Sequence, residues 1–277
     1  MGPGLRRDDE LIGMEWRDSG FVLAARRHGE SGLIVELLTA EHGRHAGLVR
    51  GGQSPRRRAL FQPGNHVAAG WRGRLPEHLG SLECELVEAH AARFLDDADR
   101  LAALAAASAL LLAALPEREP HADIYASFAV LLDALTPTLS SAASGRGLVD
   151  ALDSAQDWRQ AYVRWECGLL AALGFGLDLG SCAVTGASDD LTHVSPRTGR
   201  AVSRAAAAPY RDKLLPLPEF LWRDAAASPR DIPTGLALTE HFLLHHLLLP
   251  QGRGLPEARQ RFAERMRRPS AAGILDR

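Results

Sequence analysis

Lysine, cysteine and long apolar runs are all scarce in this chain, and each scarcity excludes a class of protein. Lys213 is the single lysine against 31 arginines, and no glycine-rich phosphate-binding loop with a lysine is present. The three cysteines (Cys84, Cys167, Cys182) lie far apart. An odd number without a secretory signal argues against a disulfide framework and predicts a reducing cytoplasm. No apolar run reaches the roughly 18 residues that a membrane span needs.

Acidic residues are missing from one stretch, residues 42–76, although the whole chain carries a formal net charge of −2. The stretch reads HGRHAGLVRGGQSPRRRALFQPGNHVAAGWRGRLP and contains seven arginines: Arg44, Arg50, Arg56, Arg57, Arg58, Arg72 and Arg74. Guanidinium groups keep their charge at cellular pH and bind phosphate oxygens in pairs. The alternative is a solvated, arginine-rich surface that reflects codon usage, but this does not explain the missing acids. The stretch therefore predicts a polyanionic partner such as nucleic acid.

Short strands separated by glycine-rich turns are predicted from residue 16 to about residue 90. The apolar runs fall at residues 20–25, 33–39, 44–50, 66–72 and 82–87. Five short strands in about 75 residues indicate a small barrel, and an OB-fold has this strand number and size. OB-folds bind single strands through a positive groove and base-stacking side chains.

The predicted barrel places the arginines where such a groove would need them. Arg56, Arg57 and Arg58 fall in the loop between the third and fourth strands, and Arg72 and Arg74 lie at the end of the fourth strand. We therefore expect a nucleic-acid-binding surface made of Arg56, Arg57, Arg58, Arg72 and Arg74, with Arg44 and Arg50 at its edge.

Two aromatic residues of this region have different expected roles. Trp71 alternates with apolar residues in the fourth strand and is expected in the core. Phe61, beside the arginine triplet, is the better candidate for stacking a base. The alternative, which the sequence favours equally, is that its ring anchors the loop against the barrel. The histidines of the region lack metal-ligand spacing and are interpreted as surface residues: His28, His42, His45, His66, His78 and His90.

Helical periodicity replaces the strands after residue 91. Apolar residues at helical spacing predict helices over 99–115, 122–135, 156–173, 234–249 and 256–268. A serine- and glycine-rich loop is expected at 136–147, and a turn-rich insert begins at residue 177. The arginines of the last helix are interpreted as a solvated face, with a second basic patch as the alternative.

The predicted domain organisation follows from these patterns. Residues 1–13 are expected to be a disordered leader, with Met14 as a plausible alternative start. Residues 14–92 form the barrel domain, residues 93–268 form an all-helical domain with the insert at 177–206, and residues 269–277 form a flexible tail. The fold class is thus α+β and multidomain.

No catalytic signature is visible, and the candidate metal ligands are weak. His241 and His245 share a helix face with His246 nearby, but no acidic or cysteine partner follows at useful spacing. Asp189 and Asp190 form an isolated acidic pair, which gives little support to a two-metal nuclease. The sequence predicts neither an enzyme nor a bound metal or cofactor.

Several motifs together resemble the bacterial RecO family of recombination mediators. They are MEWRDSGFVLAARRHGESGLIVELLTAEHGRHAGLVRGG and FQPGN near the start, and LLAALGFGLDLGSCAVTG, LTHVSPRTGRAVS and PYRDKLLPLPEFL in the second half. The resemblance covers about residues 14–268. It implies an N-terminal OB-fold, a helical C-terminal domain and no chemical catalysis.

The resemblance also implies a function and a set of partners. It implies binding of single- and double-stranded DNA, annealing of complementary strands, and loading of RecA onto single strands coated by the single-strand binding protein SSB in recombinational repair. The implied partners are RecR, possibly RecF, the SSB C-terminal tail and, indirectly, RecA, in the cytoplasm at the nucleoid.

The chain departs from the family at the zinc site that many members carry in the insert. Cys182 stands at the first ligand position, but Thr185, Ser203 and Ala206 hold the other three. One thiolate cannot hold a tetrahedral zinc ion, so the insert is expected to be degenerate and metal-free.

Two other functional classes stay open from the residues alone. One is a protein-binding adaptor whose contact with DNA is incidental. The other is an RNA-binding OB-fold protein, since only RNA offers the 2′-hydroxyl for recognition.

Overall fold

Two compact units make up the computed structural model, which describes residues 14–75, 77–137 and 148–268. The first unit ends at Ala89 and also includes Pro116–Pro120; the second comprises His90–Leu115 and the chain from His121 onwards. The predicted leader, the tail and most of the predicted loop at 136–147 lie outside the described residues.

Five strands form a closed barrel in the first unit. They are β1 (Met14–His28), β2 (Gly32–Thr39), β3 (Gly43–Val49), β4 (His66–Gly73) and β5 (Ser81–Glu88). The strand order is β1-β2-β3-β5-β4, and all neighbouring pairs are antiparallel except β3 and β5, which pair only at Leu48 and Ser81. The predicted five-stranded OB-type barrel is confirmed.

The first strand is longer than its apolar run. Its first half pairs with β4, from Met14 opposite Gly73, and its second half pairs with β2, ending with His28 opposite Gly32. One long strand therefore belongs to both sides of the barrel and closes it. Only its central residues are buried, which explains why the apolar run was short.

Alternate side chains of β4 pack into the core of the barrel. Val67, Ala69 and Trp71 are buried, whereas Ala68 and Arg72 are exposed. Trp71 is 1% exposed, and its indole Nε1 donates a hydrogen bond to the Leu79 carbonyl at 2.9 Å. The prediction that Trp71 is a core residue is confirmed.

A short helix, α1 (Pro55–Leu60), occupies the predicted loop between β3 and β4. Pro55 lies in its first turn, where the missing N–H costs no hydrogen bond. None of its residues is buried. The expectation of a plain loop at the arginine triplet was therefore wrong.

The second unit is mainly helical. Its helices are α2 (Ala98–Ala114), α3 (Ala122–Leu135), α4 (Leu148–Ala172), α5 (Arg204–Ala207), α6 (Asp231–Phe242) and α7 (Glu257–Arg267). A π-helical segment, Leu243–Leu248, continues α6, and 3₁₀ turns lie at His90–Phe94, Ala208–Lys213, Glu219–Leu221 and Leu249–Gln251. Asp97 caps α2 by accepting backbone N–H bonds from Asp99 and Arg100, each at 3.0 Å. The predicted helical domain is confirmed.

A small sheet of three strands begins in the insert: β6 (Leu191–Val194), β7 (Ala201–Ser203) and β8 (Leu215–Pro216), in the order β7-β6-β8. The third strand lies beyond the predicted end of the insert at residue 206. The expectation that the insert is zinc-finger-like is not confirmed.

Candidate nucleic-acid interface

Six of the seven predicted arginines are exposed on the barrel unit, and Arg72 is the one of them that pairs with an acid. The other five are Arg50, Arg56, Arg57, Arg58 and Arg74. Within the described residues, none of the five forms an ion pair with an acidic side chain. Their charge is therefore available to an anion from solution.

Helix α1 determines where its three arginines point. Consecutive helical residues are rotated by about 100°, so Arg56, Arg57 and Arg58 spread around the helix instead of forming one flat patch. The Arg57 Nη1 atom donates a hydrogen bond to the Arg50 carbonyl at 2.9 Å. Arg57 thus links α1 to the residue that follows β3. We call Arg50, Arg56, Arg57, Arg58 and Arg74 together the basic edge.

Arg72 is exposed but paired. Its Nε and Nη2 atoms donate to Glu15 Oε2 on β1 at 3.2 and 2.9 Å, and the two side chains are 69% and 47% exposed. A surface pair of this kind contributes roughly 0–1 kcal/mol. A phosphate can therefore compete with Glu15 for this guanidinium.

Arg44 does not lie at the edge of the surface. It is 9% exposed and donates to Glu36 Oε2 at 2.6 Å, with Glu117 Oε1 at 3.5 Å. Two carboxylates therefore offset its charge inside the unit. Its assignment to the DNA-facing surface is corrected on this ground.

Phe61 is 4% exposed and belongs to the apolar core of the barrel with Val22, Leu37 and Trp71. Its ring is enclosed by this core, so the structure does not present it to a nucleobase. The stacking assignment is corrected, and the anchor alternative describes the structure.

A groove of about 770 Å³ opens beside the basic edge. Arg50 and Arg57 line it, and so does Arg17 of β1, which sequence reasoning missed. Glu83 and Glu85 of β5 line it as well, so the groove carries both signs of charge. Arg17 lies outside the acid-free stretch and next to Asp18, so no local sequence signal distinguished it.

A second, smaller pocket of about 160 Å³ lies among aromatic rings of the same unit. Trp16, His42, His45 and Trp71 line it; we call it the aromatic pocket. Trp16 stacks on His42 with ring centroids 4.3 Å apart, and His45 meets Trp16 and Trp71 edge-on at 4.9 and 5.0 Å. None of these residues was predicted to form a site.

The imidazole of His45 is buried in this pocket, contrary to its interpretation as a surface residue. It is 5% exposed, and neither ring nitrogen has a hydrogen-bond partner among the described residues. Burial, together with the positive charges of Arg118 and His42, lowers its pKa to about 4. His90 is also buried, at 4% exposure, so the surface interpretation was wrong for both.

Comparison with known proteins decides the family. A model of the N-terminal part of recombination protein O matches residues 14–90, and a model of its C-terminal part matches residues 146–253. DNA repair protein RecO of Rhodospirillum rubrum is 56% identical over 261 residues, which cover 94% of this chain and 99% of the relative. The chain belongs to the RecO family.

Other RecO proteins show similar agreement. DNA repair protein RecO of Rhodospirillum centenum is 51% identical over 257 residues, covering 92% of this chain and 96% of the relative. That of Jannaschia sp. is 44% identical over 261 residues, covering 94% and 99%. The resemblance found in the sequence is confirmed, and the family is one of DNA repair proteins, consistent with recombinational repair.

Hydrogen bonds surround Cys182, the one cysteine in the insert. Cys182 is 1% exposed, and the Ser203 backbone N–H donates to its Sγ at 3.3 Å. Burial acts to raise the pKa of this thiol, but hydrogen bonds from Ser203 and Thr185 outweigh it and lower the pKa to about 6.

Within the described ranges, no cluster of side chains supports a metal site. No group of three or more histidine, cysteine, aspartate or glutamate side chains there could hold an ion. His241 and His246 instead place their Nε2 atoms 3.2 Å from the Pro196 carbonyl. Among the described helices, none has the length and apolarity to cross a membrane.

Proposed function

We propose that this chain binds DNA through the basic edge of its barrel, anneals complementary single strands and helps load RecA onto SSB-coated single strands. The observation that carries the proposal is the set of five exposed arginines, Arg50, Arg56, Arg57, Arg58 and Arg74, without acidic partners among the described residues. Membership of the RecO family supports the same direction.

The physical mechanism is electrostatic. Two complementary strands repel each other through their phosphates, and bound guanidinium groups screen that repulsion while releasing counterions. Contacts to the sugar-phosphate backbone position a strand but carry no sequence information. Binding through this edge is therefore independent of sequence and weakens with salt.

The partners in this proposal come from the family and not from particular residues. RecR, possibly RecF, and the SSB C-terminal tail would bring the protein to coated strands, and RecA would follow indirectly. The proposed location is the cytoplasm at the nucleoid. RecO proteins form a mediator family that is not known for enzymatic activity, and no catalytic step belongs to the proposal.

The test replaces Arg56, Arg57 and Arg58 together by alanine. Since single-strand binding changes by about 0.7 in salt slope per phosphate contact, the slope of log K against log salt should become shallower by about 2. Affinity for labelled single-stranded DNA and the rate of strand annealing should both fall. Fluorescence anisotropy and a quenching-based annealing assay measure the two effects.

A control with the same change of charge is available in the second unit. Arg200, Arg204 and Arg223 are exposed and paired with Asp178, Asp190 and Glu219. Their joint replacement by alanine should leave the slope within about 0.5 of the parent value. Equal losses in both triple variants would refute a specific basic edge.

Two results for the wild-type protein would favour the other functional classes. Binding that does not change with salt would favour a protein-binding adaptor. Tighter binding of an RNA than of the DNA strand with the same sequence would favour an RNA-binding protein.

A further inference from the structure

The aromatic pocket has the features of a site for one small planar ring. Its volume of about 160 Å³ is well below the roughly 300–1,000 Å³ of sites for drug-sized ligands. The half-buried Trp16 and His42 and the buried His45 and Trp71 line it, together with Met14, which is 48% exposed. We propose that the pocket holds one unpaired nucleobase of a bound single strand, an inference that rests on the proposed DNA binding.

His45 supplies unused hydrogen-bonding capacity at this pocket. In the part of the chain that the structure describes, both of its ring nitrogens lack partners, although the side chain is 95% buried. A neutral imidazole offers one donor and one acceptor, and base edges present both. A buried polar group without a partner is costly, so a base edge that satisfies it gains affinity.

The rim favours a base over a phosphate. Glu41 lines the pocket, and its carboxylate repels a phosphate but accepts a hydrogen bond from an exocyclic amine. The base would therefore enter the pocket while its phosphates stay outside the rim.

Contacts of Arg118 hold one wall of the pocket in place. Arg118 lines it at φ +62°, a left-handed conformation that is uncommon for a residue other than glycine. Its Nη2 donates to the Glu77 carbonyl at 3.0 Å, which fixes the guanidinium. The Arg118 backbone N–H also donates to the Arg44 carbonyl at 2.8 Å, so this wall is held at two points.

The experiment compares strands with and without bases. Full-length wild type and Trp16→Leu are titrated with a labelled oligodeoxycytidine, whose bases carry an exocyclic amine, and with an abasic strand of the same length and charge. Since a base contact with an aromatic side chain is worth about 1–3 kcal/mol, we expect wild type to prefer the base-bearing strand about tenfold, and Trp16→Leu to reduce that ratio to below about threefold. Trp16→Phe, which keeps an aromatic ring, should retain most of the preference.

Trp222→Leu is the matched control, because Trp222 is a half-buried tryptophan of the second unit, and it should keep the wild-type ratio. Thermal unfolding shows that each variant is folded at the assay temperature. A wild-type ratio near one, or an unchanged ratio in Trp16→Leu, overturns the base site while DNA binding stands. Absence of binding to both strands instead removes the proposed function together with this inference.

Discussion

At the scale of single residues, one buried ion pair connects three helices of the helical unit. Glu166 of α4 and Arg259 of α7 are both fully buried and joined by two hydrogen bonds; one, from Nη2 to Oε2, is 2.9 Å long. Thr239 of α6 donates to the same carboxylate, and Arg259 also donates to the Leu236 carbonyl at 2.9 Å. Burial alone would lower the pKa of Arg259, but Glu166 outweighs burial and raises it. Three helices therefore share one polar junction.

Removal of one partner should be far worse than removal of both. Arg259→Met leaves the Glu166 carboxylate buried and unpaired, and we expect a loss of about 3–5 kcal/mol in unfolding free energy. The double variant with Glu166→Leu should recover much of that loss, because no charge remains buried. Urea unfolding followed by tryptophan fluorescence measures both.

Arg261→Met is the control for this prediction, because Arg261 and its partner Glu257 are 61% and 83% exposed. It should change stability by less than about 1 kcal/mol. A double variant that is as unstable as Arg259→Met would contradict the explanation by buried charge.

Sequence predicted residue roles well where alternation decides them and poorly where distant contacts do. Trp71 was assigned to the core from its phase in β4. Phe61 and Arg44 were misassigned because their burial depends on the barrel interior and on Glu36 and Glu117. Arg259 was interpreted as one of several solvated arginines, since nothing local distinguishes it from Arg261.

At the scale of elements, the Pro116–Pro120 segment is held against the β2–β3 hairpin. The Arg118 backbone N–H donates to the Arg44 carbonyl at 2.8 Å, and Arg44 and Glu117 form a parallel bridge. Gly43 sits at φ +65°, and a Cβ there would overlap the Glu119 carbonyl. Only glycine therefore permits this approach.

Gly43→Ala should loosen this segment. The substitution adds left-handed strain of about 1–2 kcal/mol and also a clash with Glu119, so trypsin should cleave after Arg118 faster than in wild type. Limited proteolysis with mass spectrometry measures the rate.

Gly51→Ala isolates the strain, because Gly51 has φ +63° with no atom within 4 Å of an added Cβ. It should cost only the strain and leave cleavage after Arg118 unchanged. Equal cleavage in the two variants would show that the close approach does not hold the segment.

Strands and long helices were predictable because their periods of 2 and 3.6 are visible locally. The helix at 122–135 was placed at its observed bounds. Helix α1 was taken for a loop, although Pro55 gave a start signal, because six residues with three consecutive arginines show no apolar face. The first half of β1 was missed because its pairing with β4 is distant in sequence.

At the scale of the whole chain, the order of parts was predictable: a five-stranded barrel, a helical region and an insert without a complete zinc ligand set. The sequence did not predict that Pro116–Pro120 belongs to the barrel unit, because this five-residue segment between α2 and α3 carries no local signal of that contact. The aromatic pocket was equally hidden, since Trp16, His45 and Trp71 come from three strands and meet only in the fold.

The central claim is that the basic edge binds single-stranded DNA through its phosphates. The most direct test is the affinity of the full-length protein for a labelled single strand across a salt series. Five available arginines predict tight binding at low salt and a slope of log K against log salt of about −3 to −4. A slope near zero, or no binding at low salt, would contradict the claim.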